Sequence, residues 1–229
     1  MPKAYYLHKL YPFQDKILKV IEALDLDFYF TGGTALGRCF LHHRYSDDLD
    51  FFVNNHNAFK KQCTAAIEAI KTHWACDITT TSDTFVRIFV KDDSLVLKID
   101  FVNDIPFHFG EVAGFPIFHR VDNWRNILSN KLCALSRMEA KDIVDILFIG
   151  KKYYFEWEEI IHEAKEKDLW ADPIEICRMI SQFPDHLFNE IKWIIDINME
   201  KLKQELIVLH DDIFFGNANS LIERNRAAH

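Results

Sequence analysis

Residues 31–53 read TGGTALGRCFLHHRYSDDLDFFV, and this stretch decides the fold. Gly32 and Gly33 stand together near its start, in a chain that contains only seven glycines. Asp48 and Asp50 flank a leucine near its end, just before an apolar run. The apolar runs at 26–30 and 48–53 predict buried strands, and the residues between them follow a helical period. The stretch therefore predicts the order strand, glycine pair, helix, acidic pair, strand.

The two aspartates predict a metal site. Side chains alternate along a strand, so Asp48 and Asp50 project from one face, about 7 Å apart, while Asp47 points away from them. Two carboxylates on one face repel each other unless a cation lies between them. Hard oxygen ligands of this kind suit Mg²⁺, which completes its shell with water and substrate phosphates.

The glycine pair supplies the matching half of such a site. At a strand-to-helix turn, backbone N–H groups that lack a nearby Cβ can approach a phosphate, so Gly32, Gly33 and Thr34 are candidate phosphate-binding residues. Taken alone, a glycine pair more often forms a tight turn than a catalytic site, and an acid-x-acid pair more often marks the solvated start of a strand. Together, in this order, they indicate metal-assisted phosphoryl transfer.

The order of these motifs resembles the nucleotidyltransferases with a polymerase-β-type palm. The fuller string GGTAL…HRYSDDLDFF resembles the AbiEii/AbiGii toxin family, whose members carry GGTxL followed by HR-x-S-x-DLD. The resemblance implies a Mg²⁺-dependent or Mn²⁺-dependent enzyme that uses an NTP, with RNA, in particular tRNA, as the acceptor and an antitoxin protein as a partner. It also draws attention to Arg44, which would either pair with an acid or contact phosphate.

Asp100 is the candidate third carboxylate. Palm enzymes of this type use a third acid on a neighbouring strand to bind the metal that activates the attacking hydroxyl. Asp100 interrupts the apolar run LVLKIDFV, where an unpaired carboxylate is costly. The alternative is that Lys98, at the same strand parity, pairs with Asp100.

A second element resembles the toxin family's K-x-x-A-L-x-x-R…(R/K)-D-x-x-D pattern, with Lys141 where arginine is more common. On one straight helix, Lys131 and Asp142 would share a face, and they would bind the triphosphate and position an acceptor. The alternative is a solvated ion pair. Asp145 is expected to orient the helix. The pattern falls on Lys131, Ala134, Leu135, Arg137, Lys141, Asp142 and Asp145.

The fold class expected is α+β: a polymerase-β-type palm, with a mixed sheet and flanking helices, at 1–120, and a helical domain at 121–229. Helical patterns cover 122–150, 156–168, 173–182, 185–195 and 198–212, and residues 217–229 are expected to fray.

Composition narrows the function classes. The formal charge of −8 disfavours a protein that coats nucleic acid by charge alone. Five widely spaced cysteines indicate reduced thiols, and no apolar run is long enough to span a membrane, so we expect a cytoplasmic protein.

The leading hypothesis is a nucleotidyltransferase that moves a nucleoside monophosphate from NTP to an acceptor hydroxyl. One alternative has the same chemistry on a small molecule of the antibiotic type. The other is a palm that has lost its chemistry and acts as a binding module.

Overall fold

The computed structural model describes residues 3–222, which fold into two compact units. The first unit holds residues 3–39 and Tyr45–Asn123, and the second holds Phe40–Arg44 and residues 124–222. The sequence placed the division at 120/121 and assigned residues 40–44 to the palm. Within residues 3–222, no helix combines the length and the apolar character that crossing a membrane requires.

A seven-stranded mixed sheet forms the centre of the first unit, in the order β3-β4-β5-β2-β1-β7-β6. The pairs β2/β5 and β1/β7 are parallel, and the other neighbours are antiparallel. The strands are β1 (Tyr29–Thr31), β2 (Leu49–Asn54), β3 (Ala75–Thr81), β4 (Phe85–Asp92), β5 (Leu95–Asp104), β6 (Ala113–Phe115) and β7 (Phe118–Val121).

Helices of the first unit cover one face of this sheet. The α-helices are α1 (Lys3–Tyr5), α2 (Tyr11–Glu22), α3 (Gly32–Ala35) and α4 (Phe59–Lys71), and π-helical turns occupy Tyr6–Leu10 and Leu36–Leu41. Phenylalanines of four strands form the core beneath them, since Phe30, Phe51, Phe101 and Phe118 are at most 2% exposed. Alternation places Asp50, Asp100 and Arg87 on the other sheet face, together with apolar side chains such as Phe52.

The second unit is helical. Its α-helices are α5 (Trp124–Ala134), α6 (Ala140–Lys152), α7 (Trp157–Lys167), α8 (Pro173–Ser181) and α9 (Met199–Phe215), with 3₁₀ turns at Leu135–Arg137 and Asp185–Glu190. Asp172 caps α8 as its side chain accepts from the amides of Ile174 and Glu175, with Pro173 in the first turn. The fold class predicted from the sequence, an α+β arrangement with a helical second half, is confirmed.

Three local expectations were wrong. The helix predicted at 122–150 breaks at Met138, whose φ of +52° is left-handed, so two helices form. The helix expected at 185–195 is only a 3₁₀ turn, Asp185–Glu190. The described part of the expected frayed tail is anchored, because the buried Asn219 donates to the carbonyls of Gly150 and Tyr153. Residues 223–229 lie outside the described residues.

Candidate active site

Gly32 brings the turn after β1 directly against Asp50. Its φ is +71°, a conformation that side chains rarely adopt, and a Cβ built there would lie 2.2 Å from Asp50 Oδ2. Thr31, the preceding residue, is opposite Asp50 in the β1/β2 register. Glycine is therefore required at position 32 both for the backbone conformation and for the close approach.

A row of polar side chains crosses the sheet at this point. Asp50 is registered with Asp100 on β5, and Asp100 is registered with Arg87 on β4. Leu49 and Phe51, which flank Asp50 on β2, are fully buried in the opposite face. The row places two carboxylates on neighbouring strands, where their negative charges need compensation.

Two cations supply that compensation. Arg87 forms a two-pronged ion pair with Asp100, with Nε 2.7 Å from Oδ1 and Nη2 2.8 Å from Oδ2. Lys98 lies 2.7 Å from Asp48 Oδ2 and 3.8 Å from Asp100 Oδ2. The hydrogen bond to Asp100 raises the pKa of Arg87; burial opposes that shift, and the charges of Asp100, Asp48 and Asp50 add to it.

Arg87 is the residue that the sequence analysis missed. It interrupts the apolar run FVRIFV just as Asp100 interrupts LVLKIDFV, and that shared irregularity was the available signal. The alternative that Lys98 pairs with Asp100 accounts for only the longer contact, because Lys98 is closer to Asp48. Asp100 is 6% exposed, so its pairing with Arg87 offsets most of the cost of burial.

Asp48 and Asp50 are the candidate protein ligands for a divalent cation. Among residues 3–222, no three His, Cys, Asp or Glu side chains are grouped so that they could hold a metal. Both oxygens of Asp100 are engaged by Arg87, so Asp100 would have to leave that pair to become a ligand. Mg²⁺ needs only one or two protein carboxylates when phosphates and water complete its shell. Asp48 and Asp50 fit that smaller requirement.

The entrance to β2 is held by contacts from neighbouring segments of the palm. Thr34 is fully buried, and its hydroxyl donates to the carbonyl of Asp48. Tyr6 donates to Asp47 Oδ1 at 2.9 Å, and Gln14 donates to the Asp47 carbonyl at 3.0 Å. The Thr34 hydroxyl therefore fixes the acidic stretch, and a phosphate role for Thr34 would have to use its backbone.

Asp122, which directly follows β7, supports the same row through Thr31 of β1. It is fully buried and accepts from Thr31 Oγ1 at 2.6 Å, while His108 Nε2 lies 3.0 Å from its other oxygen. Because Thr31 faces Asp50 across β1/β2, Asp122 fixes the side chain next to the acidic row. The sequence analysis gave Asp122 no role.

In the helical unit, Lys131, Asp142 and Asp145 form a buried ion cluster with His43 and Arg44. Lys131 Nζ lies 2.7 Å from both Asp142 Oδ1 and Asp145 Oδ2. Arg44 donates two hydrogen bonds to Asp145, and His43 Nε2 lies 2.8 Å from Asp145 Oδ1. The helix break does not separate Lys131 from Asp142, because α5 and α6 pack against each other.

Charge in this cluster is strongly stabilised. Burial alone would raise the pKa of Asp145, but Arg44, Lys131 and His43 hold it well below its usual value. Burial lowers the pKa of Lys131, yet the charges of Asp145 and Asp142 outweigh it and the pKa is raised. The pKa of His43 is lowered by burial in spite of its hydrogen bond to Asp145.

These contacts bear on the expectations for Arg44, for the Lys131–Asp142 pair and for Asp145. Arg44 is 4% exposed and pairs with Asp145, so the acid-pairing alternative describes its contacts in the structure. The solvated-pair alternative for Lys131 and Asp142 is wrong, since both are buried. Asp145 is the shared acceptor of His43, Arg44 and Lys131, and so it does more than orient its helix.

Comparison with known proteins identifies the relatives of this chain. The family model described as "Nucleotidyl transferase AbiEii toxin, Type IV TA system" matches residues 16–212. The structure is similar to MenT4, a nucleotidyltransferase toxin from Mycobacterium tuberculosis, with 18% identity, a TM-score of 0.69 and coverage of 100% of this chain and 90% of that chain. It is also similar to JHP933 from Helicobacter pylori, with 22% identity, a TM-score of 0.59 and coverage of 97% of each chain. No curated protein matches the sequence.

Proposed function

The chain belongs to the AbiEii family of nucleotidyltransferase toxins, and we propose that it transfers a nucleoside monophosphate from an NTP to a hydroxyl of RNA in a Mg²⁺-dependent reaction. The family membership confirms the resemblance read from GGTAL…HRYSDDLDFF and makes the chain a nucleotidyltransferase. Its type IV toxin–antitoxin description implies an NTP substrate and an antitoxin partner. The metal, the RNA acceptor, the site residues and a cytoplasmic location are the proposed part.

The observation that carries the proposal is the contact between the Gly32 turn and Asp50 in the middle of the polar row. A backbone turn without a Cβ can receive phosphate, and carboxylates beside it can receive the metal that neutralises phosphate charge. Arg87 and Lys98 keep the row compatible with a folded palm before substrate enters.

In the proposed mechanism each residue has one task. Asp48 and Asp50 hold Mg²⁺, which when bound polarises the α-phosphate. Gly32 and Gly33, with the backbone of Thr34, position the phosphates. Asp100, oriented by Arg87, helps to activate the acceptor hydroxyl. The acceptor hydroxyl gives its proton to Asp100 as its oxygen bonds to the α-phosphorus, the bond from that phosphorus to the bridging oxygen breaks, and pyrophosphate leaves.

A transfer assay with matched variants tests this function. Purified protein, Mg²⁺ and each α-labelled NTP are mixed with total bacterial RNA, beside Asp48→Asn, Asp50→Asn and Asp47→Asn. We expect label in a tRNA-sized band, with a loss of at least about 100-fold for the first two variants and little change for Asp47→Asn, since Asp47 faces Tyr6. Activity that survives in Asp50→Asn would contradict the proposal.

The net charge of −8 favours a second candidate, a cationic small-molecule acceptor. The same assay with aminoglycosides in place of RNA separates the two acceptors. Label on the small molecule, with none on RNA for any NTP, would replace RNA with a cationic acceptor.

A further inference from the structure

A cavity of about 350 Å³ lies in the palm, beyond the acidic row, and its lining includes Tyr29, Asn54, His56, His108, Glu111 and Arg120. Its volume is at the lower end of the range of roughly 300–1,000 Å³ for small-molecule sites. Tyr29 is two residues before Thr31 on β1, and Asn54 is four residues beyond Asp50 on β2. Measured along the strands, the cavity therefore begins about 7 Å from the Asp50 position and extends to about 13 Å.

Both histidines of the cavity wall are already paired with carboxylates. His56 Nε2 lies 3.2 Å from Asp27 Oδ2, and His108 Nε2 lies 3.0 Å from Asp122 Oδ1. A phosphate group would need an excess of positive charge, which this wall does not offer. The cavity therefore suits an uncharged polar ligand.

One donor in the wall remains unsatisfied. Arg120 Nη2 donates to the carbonyl of Asp27 at 3.1 Å, but the buried Nε has no hydrogen-bond partner among the described residues. A buried donor without a partner is destabilising, and an acceptor on a ligand would supply the missing hydrogen bond. Glu111, which is exposed at the rim, offers an acceptor to the same ligand.

Hydrogen bonds link the residues around the cavity to one another and to the backbone. Tyr29 donates to Asn54 Oδ1, and Asn54 Nδ2 donates to the carbonyl of Ile105. Asn123 donates to the carbonyl of Phe109 and fills the space where a Cβ of Gly110 would lie. The rings of Tyr29 and His108 meet edge to face, with centroids 5.0 Å apart, and give the cavity aromatic walls.

We propose that this cavity binds the nucleobase of the NTP, with Arg120 as the residue that selects it. A nucleobase is flat, uncharged and edged with acceptors and donors, and it stacks on aromatic and imidazole rings. The distance from Asp50 matches a base that extends through its ribose from an α-phosphate at the acidic row. The inference rests on the proposed function, because it takes the NTP as substrate.

Nucleotide binding without transfer tests the inference. Calorimetric titration with the four α,β-methylene NTPs in Mg²⁺ compares wild type, Arg120→Met, Val112→Trp and a matched control, Arg178→Met. In the control, the arginine that is replaced forms an exposed ion pair with Glu175 on α8. We expect Arg120→Met to weaken the preferred NTP by about 10-fold or more and to reduce discrimination among the four. Val112 also lines the cavity. We expect Val112→Trp, which fills the cavity, to weaken the binding of all four NTPs, and Arg178→Met to leave their binding unchanged. At saturating NTP, kcat should stay within about 3-fold of wild type.

Each result decides between stated alternatives. Unchanged NTP binding in both Val112→Trp and a folded Arg120→Met overturns the inference. If Arg120→Met does not fold, the result for Val112→Trp decides alone. A rise in KM for RNA without one for NTP assigns the cavity to an acceptor base instead. Arg120-dependent NTP binding with no transfer to any acceptor removes the proposed function and keeps the subsite, whereas a wild type that binds none of the four removes the subsite.

Discussion

At the scale of single residues, Gly32 meets two requirements, a left-handed backbone conformation and a close approach to Asp50. Gly32→Ala adds a Cβ in a left-handed conformation and drives it against Asp50 Oδ2. We expect the strain to lower the free energy of unfolding by about 1–3 kcal/mol and the displaced Asp50 to abolish transfer. Urea denaturation and the transfer assay measure both effects.

The control for Gly32 is Gly216, which has a φ of +65° and no atom within 4 Å of the position its Cβ would take. Gly216→Ala should show the backbone cost alone, about 1 kcal/mol, and retain transfer. Equal destabilisation and equal activity in the two variants would mean that the approach of Gly32 to Asp50 has no functional role.

His43 makes stability depend on pH. Burial lowers its pKa below the usual 6.5, so the folded protein holds the imidazole neutral. As pH falls below 6.5, the unfolded chain takes up this proton first, and stability declines until the lower folded pKa is reached. We expect a slope of up to about 1.4 kcal/mol per pH unit. Urea denaturation between pH 5 and 7.5 measures it.

The comparison for His43 is His162, which is exposed on α7. His43→Gln retains a donor for Asp145 but cannot titrate, so it should flatten the slope below pH 6.5, while His162→Gln should keep it. Asp145 affects stability in a different, more acidic pH range. Its pKa in the folded protein is lowered, so its contribution to stability is present above the unfolded pKa of about 3.9 and is lost as pH falls below that value. A slope below pH 6.5 that is identical in all three proteins would exclude His43 as its source.

At the scale of elements, the register of β4, β5 and β2 determines which carboxylate can bind metal. Arg87 occupies both oxygens of Asp100, so Arg87→Met should free Asp100. If Asp100 is a ligand, the variant should bind Mg²⁺ at least about 10-fold more tightly, because a competing cation has been removed. Mg²⁺ titration of Arg87→Met, of Arg87→Met/Asp100→Asn and of wild type measures this. Unchanged affinity in Arg87→Met would remove Asp100 from the metal site.

The sequence predicted the elements around residues 31–53 because periodicity, the glycine pair and the acidic pair are local signals. The ion pairs between elements were harder to predict. Arg87 meets Asp100 only through the antiparallel register of β4 and β5, which nothing in FVRIFV encodes. The sequence placed Lys131 and Asp142 on one face of a straight helix, whereas they pair across the helix break at Met138. Arg44 pairs with Asp145, which lies 101 residues further along the chain. Such pairs depend on tertiary packing, which overrides local preference.

At the scale of the whole molecule, the two compact units interleave along the chain. Phe40–Arg44 belong to the helical unit, although palm residues precede and follow them. Within the helical unit, Asp145 accepts a hydrogen bond from Arg44 and lies 2.8 Å from His43 Nε2. Removal of one partner from a buried ion pair costs about 3–5 kcal/mol.

A palm fragment tests this interleaving. Residues 1–123 expressed alone retain His43 and Arg44 but lose Asp145, so we expect the fragment to unfold without cooperativity or to aggregate, since its buried charges have no partner. Co-expression with residues 124–229 should restore a soluble pair, and the same co-expression with Asp145→Asn in the second fragment should restore much less. Gel filtration and thermal unfolding measure both. Cooperative unfolding of residues 1–123 alone, with full-length affinity for NTP, would show that the palm needs no contact at Asp145. The division near residue 120 read from the sequence would then describe an autonomous domain.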